Sequence, residues 1–177
     1  MKRTLLISTL LGAIIGVGVC FVLPPKSHPE VQSYSTYVLP PKTLCSNRIV
    51  ASDVIALTNN ERSKAGLAPL VENPLLNRAA QLKASDMTTV HYWTHVSPTG
   101  VQPWDWFKQV GYHYVHAGEN LAKDFDTSAG VVQGWMNSPG HRANVLKPQF
   151  TEVGTAVICG NVVGVDTELV VSEYGSR

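Results

Sequence analysis

Three side chains suited to proton or metal chemistry stand in turn-rich segments far apart in the sequence. His95 lies in Tyr92-Trp93-Thr94-His95-Val96-Ser97-Pro98-Thr99-Gly100, Glu119 in Ala117-Gly118-Glu119-Asn120-Leu121, and His141 directly after Asn137-Ser138-Pro139-Gly140. Imidazole nitrogen and carboxylate oxygen are both zinc donors, so two histidines and a glutamate on separate loops can form a divalent-metal site. The same groups can exchange protons as general acid and base, or serve only as structural hydrogen-bonding groups. Spacing does not choose among these, because no two of the three residues form a local ligand pair. Ser97 and Ser138 lie near the histidines, but no nucleophile-elbow motif surrounds either, which argues against a serine protease. His113 and His116 flank Tyr114 and read as exposed loop histidines. Arg62 reads as a partner for a carboxylate or a helix end, and Arg142 and Asn144 as satisfying backbone groups after Pro139.

The elements that must position these residues follow from apolar periodicity. Val54, Ile55, Leu57 and Ala65 give a helical face that Gly66 ends. Asn73-Pro74 opens a second helix as N-cap and first-turn proline, with Leu75, Leu76, Ala79, Ala80, Leu82 and Met87 as its buried stripe. A third helix starts near Pro103 and stops at Gly111; a fourth runs from about Thr127 to Ser138-Pro139-Gly140. After Phe150 the period falls to two, predicting strands over Val153–Ile158, Val162–Val165 and Leu169–Tyr174. Cys159-Gly160-Asn161 and Asp166-Thr167 are the expected turns between them. Helices first and antiparallel strands last predict an α+β fold.

Residues 1–23 are a separate matter. Lys2 and Arg3 precede an uncharged apolar stretch from Thr4 to Leu23, which reads as an N-terminal membrane anchor or a cleaved signal peptide. Cys20 follows Val19 where a lipobox needs a small residue, so it reads as an apolar residue rather than a lipidation site. Residues 24–46 form a Pro-rich linker with Pro24-Pro25, Pro29 and Pro40-Pro41, and residues 47–177 form the domain. Either N-terminal reading places that domain outside the cytoplasm, secreted, periplasmic or membrane-anchored. There Cys45 and Cys159 are expected to form a disulfide rather than remain reactive thiols. With 14 Lys plus Arg against 13 Asp plus Glu, the chain lacks the basic face of a nucleic-acid binder.

Taken together, ordered segments of the domain resemble the CAP superfamily of cysteine-rich secretory proteins, antigen 5 and pathogenesis-related proteins, in its secreted bacterial branch. They are Leu57-Thr58-Asn59-Asn60-Glu61-Arg62, Gly66-Leu67-Ala68-Pro69-Leu70, Trp93-Thr94-His95-Val96-Ser97-Pro98, Gly118-Glu119-Asn120-Leu121, Gly134-Trp135-Met136-Asn137-Ser138-Pro139-Gly140-His141-Arg142-Ala143-Asn144-Val145-Leu146 and Phe150-Thr151-Glu152-Val153-Gly154. The resemblance implies an α-β-α sandwich with a small antiparallel sheet between helices. It also implies a cleft holding His95, Glu119 and His141, which in some members binds a divalent metal such as zinc. Ser138 stands where many eukaryotic members carry a second glutamate, so the expected constellation is a triad. The implied function is an extracytoplasmic, non-catalytic binding module for a metal, a lipid or a cell-envelope ligand. The alternative is a metal- or histidine-assisted hydrolase acting on peptide or cell-wall substrates.

Overall fold

The structure, a computed structural model, describes Cys45 and residues 48–177. The expectations for residues 1–23 and nearly all of 24–46 lie outside the described residues. The elements in chain order are α1 (Ala51–Lys64), β1 (Val71–Glu72), α2 (Pro74–Val90), α3 (Pro103–Gln109), β2 (His116–Ala122), α4 (Ser128–Asn137), α5 (Pro139–Val145), β3 (Glu152–Val162) and β4 (Val165–Ser176). The helix ends carry the expected chemistry. The Asn73 side chain accepts from the Leu75 N–H ahead of Pro74, Thr127 caps α4 through Gly130, and Gly66, at φ 73°, follows α1 as its left-handed terminator.

The four strands lie in the order β1-β3-β4-β2. β2, β4 and β3 pair antiparallel, while the two-residue β1 adds a parallel edge to β3. Strand alternation sends neighbouring residues to opposite faces. Leu121, Ala156, Leu169 and Val171 pack against Ala80, Ala84 and Met87 of α2 on one face. Ala122 and Val170 pack with Val54 of α1, Val131, Val132 and Trp135 of α4, and Val145 of α5 on the other. α3 extends the first layer, with Phe107 against Leu76, Ala79 and Tyr112. The architecture is therefore the α-β-α sandwich expected, with helices on both faces of the sheet. Cys45 and Cys159 are joined, Cα to Cα 5.6 Å, across 114 residues of sequence.

The sheet departs from the pattern-derived strands in instructive ways. Cys159-Gly160-Asn161 and Asp166-Thr167 are not turns but paired strand residues, and β3 and β4 form one long hairpin turning at Val163-Gly164. Both turn residues have positive φ, 47° and 83°, the backbone a two-residue hairpin loop requires. The Asn161 side chain accepts from the Gly164 N–H, so its turn chemistry serves a turn two residues further on. Pro139-Gly140 does not only stop α4. Pro139 occupies the first turn of α5, where a missing N–H costs nothing. The segment His116-Ala117-Gly118-Glu119-Asn120-Leu121-Ala122 lacks alternation and reads as a loop in the sequence; it is a strand nonetheless, paired along its length with β4.

Candidate functional site

β2 is an edge strand of the sheet. Glu119 points from β2 toward the α2 layer, the same face as Leu121. His95 reaches it from the loop after α2, placing Nδ1 2.5 Å from Glu119 Oε1. The glutamate side chain is 2% exposed and the imidazole 54%, so the pair has a buried end and a wet end. Asn120 points the other way. Its Nδ2 donates to the His141 carbonyl, and Asn144 Nδ2 of α5 donates to Asn120 Oδ1 and the Glu119 carbonyl. This amide cluster docks α5 on β2 and brings His141 to the same edge. His141 Nδ1 lies 2.9 Å from Ser138 Oγ. Burial, together with the charge of nearby His95, pushes the His141 pKa down and favours a neutral ring.

Register explains a residue that sequence reading missed. Glu173 of β4 is directly opposite Glu119, on the same face. It is wholly buried, and neither of its oxygens nor Glu119 Oε2 meets an N–H or O–H donor among the described residues. Burial, then the negative charge of Glu119, drives the Glu173 pKa well above the usual carboxylate range. Glu173, Glu119 and His95 thus stand in line from the buried sheet to the exposed edge of the cleft. A charged residue inside the apolar run Leu169-Val170-Val171-Ser172-Glu173-Tyr174 was the available signal. The second carboxylate of the site thus comes from β4, not from the position of Ser138.

The other candidates fall elsewhere. His116 is on β2, with Nδ1 3.0 Å from Ser176 Oγ, and is not a loop residue; His113 is exposed. Arg62 meets no carboxylate among the described residues. It is buried and donates to the carbonyls of Ala68, Val145, Lys147 and Phe150, capping α5 and holding the chain that leads into β3. A groove of about 760 Å³, lined in part by Met136, Arg142, Leu146 and Lys147, includes none of His95, Glu119 or His141. Among the described residues, no group of three or more His, Cys, Asp or Glu side chains is arranged to hold a metal ion. None of the helices there is long and apolar enough to cross a membrane.

Residues 55–174 match the model of the CAP family, the cysteine-rich secretory protein family. The chain belongs to the CAP family. Protein YkwD of Bacillus subtilis is 46% identical over 105 residues, 59% of this chain and 41% of that protein. Membrane protein YlbC of the same organism is 28% identical over 138 residues, 75% of this chain and 40% of that one. Both are described as uncharacterized. The chain spans about two fifths of the length of these curated relatives. Among solved structures, an extracellular SCP-domain protein of Bacillus anthracis matches with TM-score 0.63 and 28% identity, over 72% of this chain and 40% of that one. An outer surface protein of Borrelia burgdorferi has the same fold, with TM-score 0.63, 20% identity, and 71% and 93% coverage. The CAP fold is thus established by sequence and by shape.

Proposed function

We propose that this CAP domain is an extracytoplasmic binding module that takes its ligand at the β2 edge through Nε2 of His95 and His141. The observation that carries this reading is that the protein occupies Nδ1 of both rings, with Glu119 on one and Ser138 on the other. A ring that donates Nδ1–H to an acceptor presents the Nε2 lone pair outward, the arrangement that outer partners impose on metal-binding histidines. Glu119 then orients His95 rather than acting as a ligand itself. The donor set fits a divalent ion such as zinc at two points, leaving the other positions to a cell-envelope ligand. Such an ion would supply Lewis acidity to whatever completes its shell. The disulfide and the extracellular and outer-surface relatives support a location outside the cytoplasm. An apolar N-terminal segment, together with a relative described as a membrane protein, supports a tether.

Calorimetric zinc titration of wild type, His95→Ala and His141→Ala tests the reading. Wild type should bind, both variants should lose binding while staying folded, and binding should weaken in acid because a protonated imidazole is no ligand. Equal behaviour of all three proteins removes the ion from the site.

The Ser138–His141 contact favours one competing reading, a histidine-assisted hydrolase in which the Ser138 O–H donates to a basic Nδ1. The two readings demand opposite tautomers of His141. Nitrogen NMR of the ring decides: a protonated Nδ1 supports binding, and a protonated Nε2 with labelling of Ser138 by a fluorophosphonate supports hydrolysis.

A further inference from the structure

We propose that Lys83 is the positioning residue of the cleft: its ammonium fixes the backbone that carries His95 and supplies the positive charge behind the Glu119–Glu173 pair. Lys83 lies on α2 and is completely buried, an unusual place for a lysine. An ammonium has three N–H donors and no acceptor. Those of Lys83 are all used, on the Tyr92 hydroxyl at 3.2 Å, the Thr94 carbonyl at 3.0 Å and the His95 carbonyl at 2.6 Å. Two of these three bonds therefore hold the peptide units on either side of the His95 Cα. The third continues outward, because the Tyr92 hydroxyl donates to Asp86 Oδ2 at 2.7 Å, back on α2. The Lys83 nitrogen also sits 4.8 Å from the centre of the Tyr92 ring. The segment between α2 and Ser97 is thus strapped onto the helix it has just left.

The strap matters because the local backbone and packing do little to aim His95. The helix ends at His91 in a left-handed conformation, φ 59°, and the chain from Tyr92 to Val96 belongs to no helix or strand. His95 is half exposed, so packing does not fix its ring. A short hydrogen bond to Glu119 demands placement within a few tenths of an ångström, and backbone held by a charged donor provides it. Electrostatics couple the same group to the site, since Glu119 and Glu173, followed by Asp86, are the charges that act on Lys83. Burial pushes the Lys83 pKa down, and those carboxyl groups act against that shift. Lys83, with no exposed surface, thus acts through His95 and Glu119.

The inference rests on the binding reading for its ligand assay, but it has a readout of its own. In wild type, the Nδ1 proton of His95 should give a strongly downfield, slowly exchanging NMR signal. The Lys83 ammonium should show couplings to the Thr94 and His95 carbonyl carbons. Lys83→Met keeps the length and apolar stem and removes the charge. It should abolish the His95 signal and weaken zinc binding at least tenfold. If that variant does not fold, Lys83→Met/Glu173→Gln, which removes a potential charge from each side, replaces it with the same expectation. A folded variant that keeps the His95 signal overturns the proposal, as does wild-type protein without couplings from the Lys83 ammonium. If wild type binds no zinc but Lys83→Met still loses the signal, the binding reading fails and the positioning role stands.

Discussion

Two of the cations described in this domain, Arg62 and Lys83, are buried, and they are solvated by different things. Arg62 on α1 donates to four main-chain carbonyls and has no carboxylate partner among the described residues. Lys83 on α2 donates to two carbonyls and a hydroxyl, and faces two buried carboxyl groups. Both bind a helix to a neighbouring loop. The Arg62 bonds end in dipoles that cannot titrate or move far, which makes it a rivet. The Lys83 bonds end beside titratable groups at the cleft, which makes it part of a device. A guanidinium has five donors in a fixed fork, so a single Arg can satisfy a ring of carbonyls that a lysine cannot reach. Burial of a charge alone does not announce function; the partners decide.

The largest expected effect is on the rivet. Arg62→Ala leaves the carbonyls of Val145 and Phe150 unpaired in the interior and opens a cavity under α5. It should cost about 3–5 kcal/mol, measured by urea denaturation. Arg62→Lys should recover little of this. A variant with wild-type stability would show that water replaces the guanidinium, and the contrast with Lys83 would collapse.

Next in size is the contact that presses α2, and Lys83 with it, onto the sheet. Gly154 of β3 pairs with Glu173, and a Cβ built there would collide with the backbone of Leu76 and Asn77. Gly154→Ala should lift the helix and cost about 1–3 kcal/mol. Because the lifted helix carries Lys83, the downfield His95 proton should broaden as well. Loss of stability with an unchanged His95 signal would separate α2 packing from cleft geometry.

Much of this scaffold is legible in the amino-acid sequence alone. Asn73-Pro74, Gly66 and Thr127 mark helix ends because capping is local chemistry, written in adjacent residues. The Cys45–Cys159 pair is legible because few alternatives exist for two cysteines outside the cytoplasm. β2 is not legible. Its seven residues are mostly small or polar with little alternation, and only pairing with β4 makes them a strand. The hairpin misleads because Gly160-Asn161 looks like a turn, whereas the bend falls at Val163-Gly164, where valine is a poor choice for positive φ. For the site, residue types point to His95, Glu119 and His141, but Lys83 and Glu173 acquire meaning only from helix–sheet packing and strand register. Sequence order carries no trace of that juxtaposition.

A subtler change tests the carboxyl pair on the Lys83 side. Glu173 takes up a proton on folding, because its folded pKa lies above the unfolded value. Such a group loses stability as pH rises above the unfolded carboxyl range of about 4.3. Glu173→Gln supplies a permanent N–H to Glu119 without that cost. It should therefore be more stable than wild type at pH 7, with the advantage shrinking toward pH 4. If the variant is less stable at pH 7 and the pH dependence is unchanged, Glu173 is ionised and Lys83 is its counter-ion.

The smallest effect belongs to a third cation, which has a carboxylate partner but stands in water. Arg177 donates through Nη2 to Glu152 Oε1 at 2.8 Å and through Nε to Oε2 at 3.1 Å, a two-point contact, with its side chain 54% exposed. Glu152 also accepts from the Tyr112 hydroxyl and the Asn73 amide. Arg177 first, then these donors, hold its pKa down at about 2. The sign follows from the depressed value. The stabilisation is complete above the unfolded carboxyl pKa of about 4.3 and drains away as pH falls toward 2. Solvent competes for the Arg177 share of it, so Arg177→Ala should cost far less than Arg62→Ala at pH 7, and less again in high salt. Urea midpoints at pH 7 and pH 3 check both points, and the variant should lose less stability between them than wild type. A loss as large as that of Arg62→Ala would mean that partner charge, not burial, sets the worth of a cation here, and the division between rivet and device would need redrawing.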